Sequence, residues 1–192
     1  MYLLLGFLLA MVVMVALFWI ENVFAKRRVA SFAARHGLQP VRGGMEIDTP
    51  FTGTIAGHKV QIEYERRSLP RQGVAQRVVF LVHAPGSFVG QLRRYRGRFI
   101  ERSQASVPGG MQRVTLPGGL SSHYELWAAG TDVPPPMLKK SGVEGLMQGF
   151  WPLESIQWLG GQVVVRVDGN LASGDRLERA WSLIEALLAS EK

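Results

Sequence analysis

The chain of 192 residues contains no cysteine. That absence excludes a disulfide framework, thiolate ligation of zinc or iron-sulfur clusters, and a thiol nucleophile. Histidine is scarce as well: His36, His58, His83 and His123 stand singly, and no two share the i, i+4 spacing of a helical metal pair. His58 reads as a turn residue. His83 reads as the end of a buried strand, where a hydrogen-bonded side chain is a simpler account than a ligand. Since the first histidine lies beyond the apolar N-terminal run, that run offers no axial ligand to haem or to a chlorophyll magnesium. No cofactor and no metal are expected.

Catalytic constellations are missing too. Gly53-Thr-Ile-Ala-Gly57-His58-Lys59 lacks the four-residue gap and the Ser/Thr after Lys that a phosphate loop needs. Ser121-Ser122-His123 has no nucleophile elbow around either serine, and neighbouring residues on a strand point to opposite faces. Asp48, Glu63, Glu65 and Asp132 are isolated carboxylates; Glu63 and Glu65 alternate with Ile62 and Tyr64, so a solvent-facing strand accounts for them. The chain reads as a non-enzyme. Disorder is excluded in turn, because 47% hydrophobic against 19% charged residues leaves ample apolar surface to bury.

Charge is also absent from Tyr2 to Ile20, a run of nineteen residues that ends at Glu21. At 1.5 Å per residue the run covers roughly 28 Å, against about 30 Å for the hydrocarbon core of a bilayer. A cleaved signal peptide would show a basic n-region, a shorter apolar core and small residues at the cleavage site. Here nothing basic precedes the run, and Trp19, Ile20, Val23 and Phe24 occupy its end. The expectation is a single transmembrane anchor over 1–25. Lys26, Arg27 and Arg28 follow directly, which places the N-terminus outside and the rest in the cytoplasm of a bacterium, at its inner membrane. Gly6 and Ala10 have the small-xxx-small spacing that lets a second membrane helix approach.

Helical periodicity continues through Val29, Phe32 and Ala33 to a capping Gly37, so 26–37 is expected as an amphipathic stalk. Beyond it the pattern alternates. Phe51 to Ile55 and Val60 to Tyr64 read as a hairpin, Arg77 to His83 as a strand buried on both faces, and Met111 to Leu116 and His123 to Ala128 as two shorter strands. Met137 to Met147 reads as a short helix. A last hairpin turns at Gly160 and Gly161, with Ile156 and Trp158 opposite Val163, Val165 and Val167. A final amphipathic helix, capped by Ser173, buries Leu177, Ala180, Trp181, Ile184, Leu187 and Leu188. The fold class is therefore α+β. An N-terminal transmembrane helix runs on into a cytoplasmic stalk, then comes a mostly antiparallel β domain over 38–192 of about seven strands, ending in a helix.

The net charge of +7 is unevenly spread: residues 26–113 carry +11 and residues 114–192 carry −3. Five arginines crowd Arg93 to Arg102. Anionic lipid head groups, a carboxylate-bearing protein partner and nucleic acid could each be held by such a stretch, and a merely solvated loop is the bland alternative. Nucleic acid ranks last because the domain is tethered to a membrane. The candidate contact residues are Arg27, Arg28, Arg93, Arg94, Arg96 and Arg98 for partner or lipid, with Gly6 and Ala10 for helix packing. The expected role is a non-catalytic accessory or scaffolding subunit of a large inner-membrane complex, with a respiratory or photosynthetic assembly as the expected setting. A freestanding tethered domain that binds anionic lipid or a soluble ligand is the alternative.

Overall fold

From Phe51 onward each alternating stretch lies as a strand whose apolar side faces one common layer. The computed structural model describes residues 2–41, 49–69, 73–94, 110–131, 133–139, 141–150, 152–168 and 174–189. The elements in chain order are α1 (Tyr2–Arg35), β1 (Gln39–Pro40), β2 (Phe51–Ile55), β3 (His58–Leu69), β4 (Gly73–His83), β5 (Val89–Arg94), β6 (Met111–Val114), β7 (Tyr124–Ala129), α2 (Ser141–Gln148), β8 (Leu153–Leu159), β9 (Gln162–Asp168) and α3 (Gly174–Leu188). Short 3-10 turns occupy Gly118–Ser122 and Pro136–Lys139.

Among the described residues the strands form one nine-stranded sheet in the order β1-β2-β3-β4-β9-β8-β5-β7-β6, and every neighbouring pair is antiparallel. The last hairpin of the chain, β8 and β9, is inserted between β4 and β5, so the sheet centre is built from residues far apart in sequence. Two tight turns fix register. Ala56 and Gly57 (φ 49° and 86°) join β2 to β3, and Gly160 and Gly161 (φ 63° and 103°) join β8 to β9. Positive φ at both central positions suits the right-handed twist of the flanking strands.

One face of the sheet carries Val60, Ile62, Val78, Phe80, Val82, Leu92, Leu126, Ile156 and Val165, and α3, α2 and the end of α1 pack over it. The α3 stripe read from the sequence is buried in full. Helix α1 ends in a Schellman cap: Gly37 takes φ 65°, the Leu38 N–H donates to the Ala33 carbonyl at 2.8 Å and the Gly37 N–H to Ala34 at 3.3 Å. The cap turns the chain so that Leu38 drops onto Gly53 of β2, where a Cβ would lie 2.4 Å from the Leu38 Cδ2.

Two expectations are corrected, the single helix over Met137 to Met147 and the burial of His83. Strands β1 and β5 went unread, because a two-residue edge strand has no period and VGQLRR has a polar residue at a buried position. The helix expected over Met137 to Met147 is two pieces, a 3-10 turn and α2. His83 is exposed rather than buried at the end of its strand. Of the expected anchor the structure shows the N-terminal helix, α1; among the described residues no helix is long and apolar enough to cross a membrane. Helix α1 runs without a break through residues 25 and 26, from the anchor expected over 1–25 into the stalk expected over 26–37. The N-cap Ser173 lies outside the described residues.

Candidate functional site: the clamped helix and the arginine positions

Helix α1 is two helices in character. From Phe7 to Leu17 its large apolar side chains are exposed on every face. Twelve residues on, Val29, Phe32 and Ala33 are buried in the core of the domain. Apolar residues all round are unusual in water and ordinary in lipid or against other apolar helices. Gly6 and Ala10 lie in the exposed half, and a Cβ at Gly6 would meet nothing within 4 Å. Arg27 and Arg28 lie exposed between the two halves, just before Val29.

The buried half is clamped to α3. Phe32 meets Trp181 edge to face at 5.7 Å, and His36 lies against both rings, 4.5 Å from Phe32 and 4.3 Å from Trp181. Glu178 bridges the two helices. Its Oε1 is 2.6 Å from Arg35 Nη2 and its Oε2 is 2.8 Å from His36 Nε2. One turn further along α3, Trp181 Nε1 donates to Glu185 at 2.9 Å. The spacing Phe32/His36 on one helix and Glu178/Trp181/Glu185 on the other places all five side chains along one seam. The sequence showed Phe32 and Trp181 as core residues; their pairing needed the third dimension.

The arginine stretch does not begin as a loop. Arg93 and Arg94 are consecutive on β5 and so project to opposite faces, Arg93 opposite Glu125 and Ser155, Arg94 opposite Tyr124. The two cannot grip one ligand together. Arg96 and Arg98 lie outside the described residues. On the helix-free face, Glu65 is a partner rather than a solvated carboxylate: it lies 3.9 Å from Arg77 Nη1 and 3.7 Å from Arg166 Nε. Arg77 also pairs with Glu154, the extra residue of a bulge between Leu153 and Ser155. Among the described residues no group of His, Asp and Glu could hold a metal ion.

Two tyrosines on the helix-covered side are held neutral. Burial pushes Tyr64 far above its ordinary value of 10.0 and raises Tyr124 against the opposing influence of Arg94 and Arg179. The Tyr124 hydroxyl donates to the Met147 carbonyl at 3.1 Å; the Tyr64 hydroxyl is buried without a hydrogen-bond partner among the described residues. Below pH 10 both phenols are neutral in the folded and unfolded chains alike. Above it the unfolded chain ionises first, so stability is lost as pH rises, by about 1.4 kcal/mol per unit for Tyr64. Tyr64→Phe is expected to raise stability by roughly 1 kcal/mol at neutral pH and to make the alkaline slope shallower. Urea midpoints measured from pH 8 to 11 check both. An unchanged slope would mean that the phenol titrates freely in the folded protein.

No protein-family model matches the chain, and no curated protein does. Among solved structures, the crystal structure of the mycobacterial trehalose monomycolate transport factor A, TtfA, is similar over 85% of this chain and 94% of that one, with a TM-score of 0.53 and 16% sequence identity. At that identity the two share a fold: a mostly antiparallel sheet backed by helices.

Proposed function

We propose that the chain is a non-catalytic, membrane-anchored accessory subunit whose basic domain is carried at the membrane surface by α1. One observation supports this above the others: a single unbroken helix joins nineteen uncharged residues to a segment locked into the domain core. A flexible linker would let a tethered domain wander, whereas a helix clamped by Phe32, His36 and Trp181 holds it at one height and angle. With 1.5 Å per residue, Ile20 and Val29 are separated by roughly 14 Å along the axis, enough for the exposed Arg27 and Arg28 to lie at head-group level. The charge of 26–113, the half next to the anchor, favours the cytoplasmic side and an acidic surface there, whether of subunits in a respiratory or photosynthetic assembly or of lipid. That the similar structure is of a transport factor adds weight to a helper role over a catalytic one.

Replacing Val12 and Val13 by arginine tests the anchor. Each charge at the centre of a span costs about 2.5–3.5 kcal/mol on insertion scales, so the double variant is expected to leave the membrane pellet for the supernatant after alkaline carbonate washing. Retention in the pellet would overturn the anchor. The subunit reading is tested by mild-detergent extraction of native membranes and capture on a C-terminal tag. A stoichiometric set of multi-pass proteins that is lost with Gly6→Leu and Ala10→Leu is the expected result. Recovery of the chain alone, with salt-sensitive binding to anionic vesicles through Arg27 and Arg28, would transfer the function to lipid binding.

A further inference from the structure

Two buried side-chain donors lack a hydrogen-bond partner among the described residues, the Tyr64 hydroxyl and the Trp158 indole N–H. A hydroxyl can also accept, but an indole N–H only donates, so Trp158 asks for an acceptor and nothing else. Trp158 is 3% exposed and sits on the helix-covered face of β8, with Val163 of β9 opposite it on one side and Gly90 of β5 on the other. Beyond Gly90 the same row continues into Ala128 of β7. Two small residues side by side leave a recess next to the indole, and the Phe88 ring fills it: a Cβ on Gly90 would lie 2.6 Å from Phe88 Cε1 and 2.8 Å from its Cζ. Phe88 meets Trp158 edge to face, with ring centroids 5.5 Å apart.

Phe88 is held differently from its neighbours in the recess. It is half-buried and ends the stretch 84–88, which is neither helix nor strand and in which Pro85, Gly86 and Ser87 are exposed. The stretch is tied at its start, where the Ala84 N–H donates to the Gly161 carbonyl at 3.1 Å. A phenyl ring fills apolar space but offers the indole N–H no lone pair, only a weak contact with its π face. Water is no remedy, because it needs two or more polar partners and Val163, Gly90, Ala128 and Phe88 supply no polar side chain. A carboxylate or phosphate is no better suited: none of these residues is a cation, and a buried charge without one costs far more than a buried N–H. The group that satisfies the recess in full has the size and apolarity of a phenyl ring and carries a neutral oxygen acceptor.

We propose that this recess is a binding site for a neutral, ring-sized apolar group bearing a carbonyl oxygen, the chemistry of a quinone or an aryl ketone, and that the Phe88 ring is its intramolecular stand-in. Trp158 Nε1 donates to the carbonyl, Gly90 and Ala128 form the floor under the ring, and Phe88 turns outward on the stretch 84–88 to admit it. The site lies at the β4–β5 connection and rests on neither the anchor nor the arginines, so it stands or falls apart from the function proposed above.

The test uses the full chain in phosphatidylcholine nanodiscs, isotopically labelled at the tryptophan indole nitrogens. Its five tryptophans give five indole N–H signals in the NMR spectrum, and the one lost in Trp158→Phe belongs to Trp158. Acetophenone and duroquinone are titrated against their free aqueous concentrations, with toluene as the ring that carries no acceptor. A saturable downfield shift of the Trp158 indole proton is expected with at least one carbonyl probe, at an affinity about fivefold or more above that for toluene, the worth of one hydrogen bond. A shift with duroquinone alone assigns the recess to quinones, and one with acetophenone to aryl carbonyls more broadly. Phe88→Ala, at a half-buried position, is expected to tighten binding by about tenfold, because the probe no longer has to displace a ring. The proposal is overturned if neither carbonyl probe gives a saturable shift in the parent or in Phe88→Ala. Toluene binding as tightly as the carbonyl probes, or weaker binding by Phe88→Ala, overturns it as well.

Discussion

Phe32→Ala is expected to destabilise the domain by about 3–5 kcal/mol, the usual cost of deleting a fully buried aromatic ring. The ring is 1% exposed and lies between Trp181, His36 and the sheet core, so its removal leaves a space that two helices and a sheet would all have to move to fill. The loss is larger than one ring, because the same ring holds His36 against Trp181 and thereby keeps Glu178 within reach of both His36 and Arg35. Arg35→Ala removes only a pair between half-exposed side chains and is expected to cost under about 1 kcal/mol. Urea unfolding of the two variants side by side checks the contrast. Digestion supplies the mechanical part: the bond after Arg28 should be cut by trypsin much faster in Phe32→Ala than in the parent. A loss near 1 kcal/mol with unchanged cleavage would mean that α1 rests on the domain without being part of its core, and the rigid-carrier reading of α1 would fall with it.

What could be read from the sequence follows from how local each signal is. The β2–β3 and β8–β9 hairpins were legible because period-two alternation and two-residue turns lie within about a dozen residues of one another. The α3 stripe was legible for the same reason at period 3.6. Strand β5 was hidden because its burial pattern depends on what lies on either side of it, β8 and β7, and neither is adjacent to it in sequence. Nothing local marks Gln91; the register against Gln157 and Trp127 puts it in the middle of a face. Arg93 and Arg94 were counted with the arginines that follow them, since composition registers charge and not direction. Glu65, read as a solvated strand residue, was half right: its face has no helix on it, but Arg77 and Arg166 come from β4 and β9 to meet it.

That meeting carries the second large effect. Arg77 is 13% exposed and its principal partner Glu154 17%, while Glu65 and Asp168 stand on the flanking strands directly opposite Arg77. Arg77→Met is expected to cost about 3–5 kcal/mol, because it leaves a largely buried carboxylate without the cation that offsets its lost hydration. The double variant Arg77→Met with Glu154→Leu is expected to recover most of that, since an apolar pair of similar volume carries no such penalty. The coupling energy from the four-member cycle, measured by urea unfolding at low and at 0.5 M salt, distinguishes the cases. A buried pair keeps its coupling in salt, whereas a surface pair loses it. Additive single effects would show that Arg77 acts through packing of its stem alone. The bulge gives a physical reason to expect coupling: inserting Glu154 as an extra residue interrupts the ladder between β8 and β9, and that interruption is stable only if the carboxylate it re-aims is met by Arg77. The ion pair thus holds the irregular place where β8 and β9 slip in register at the sheet centre.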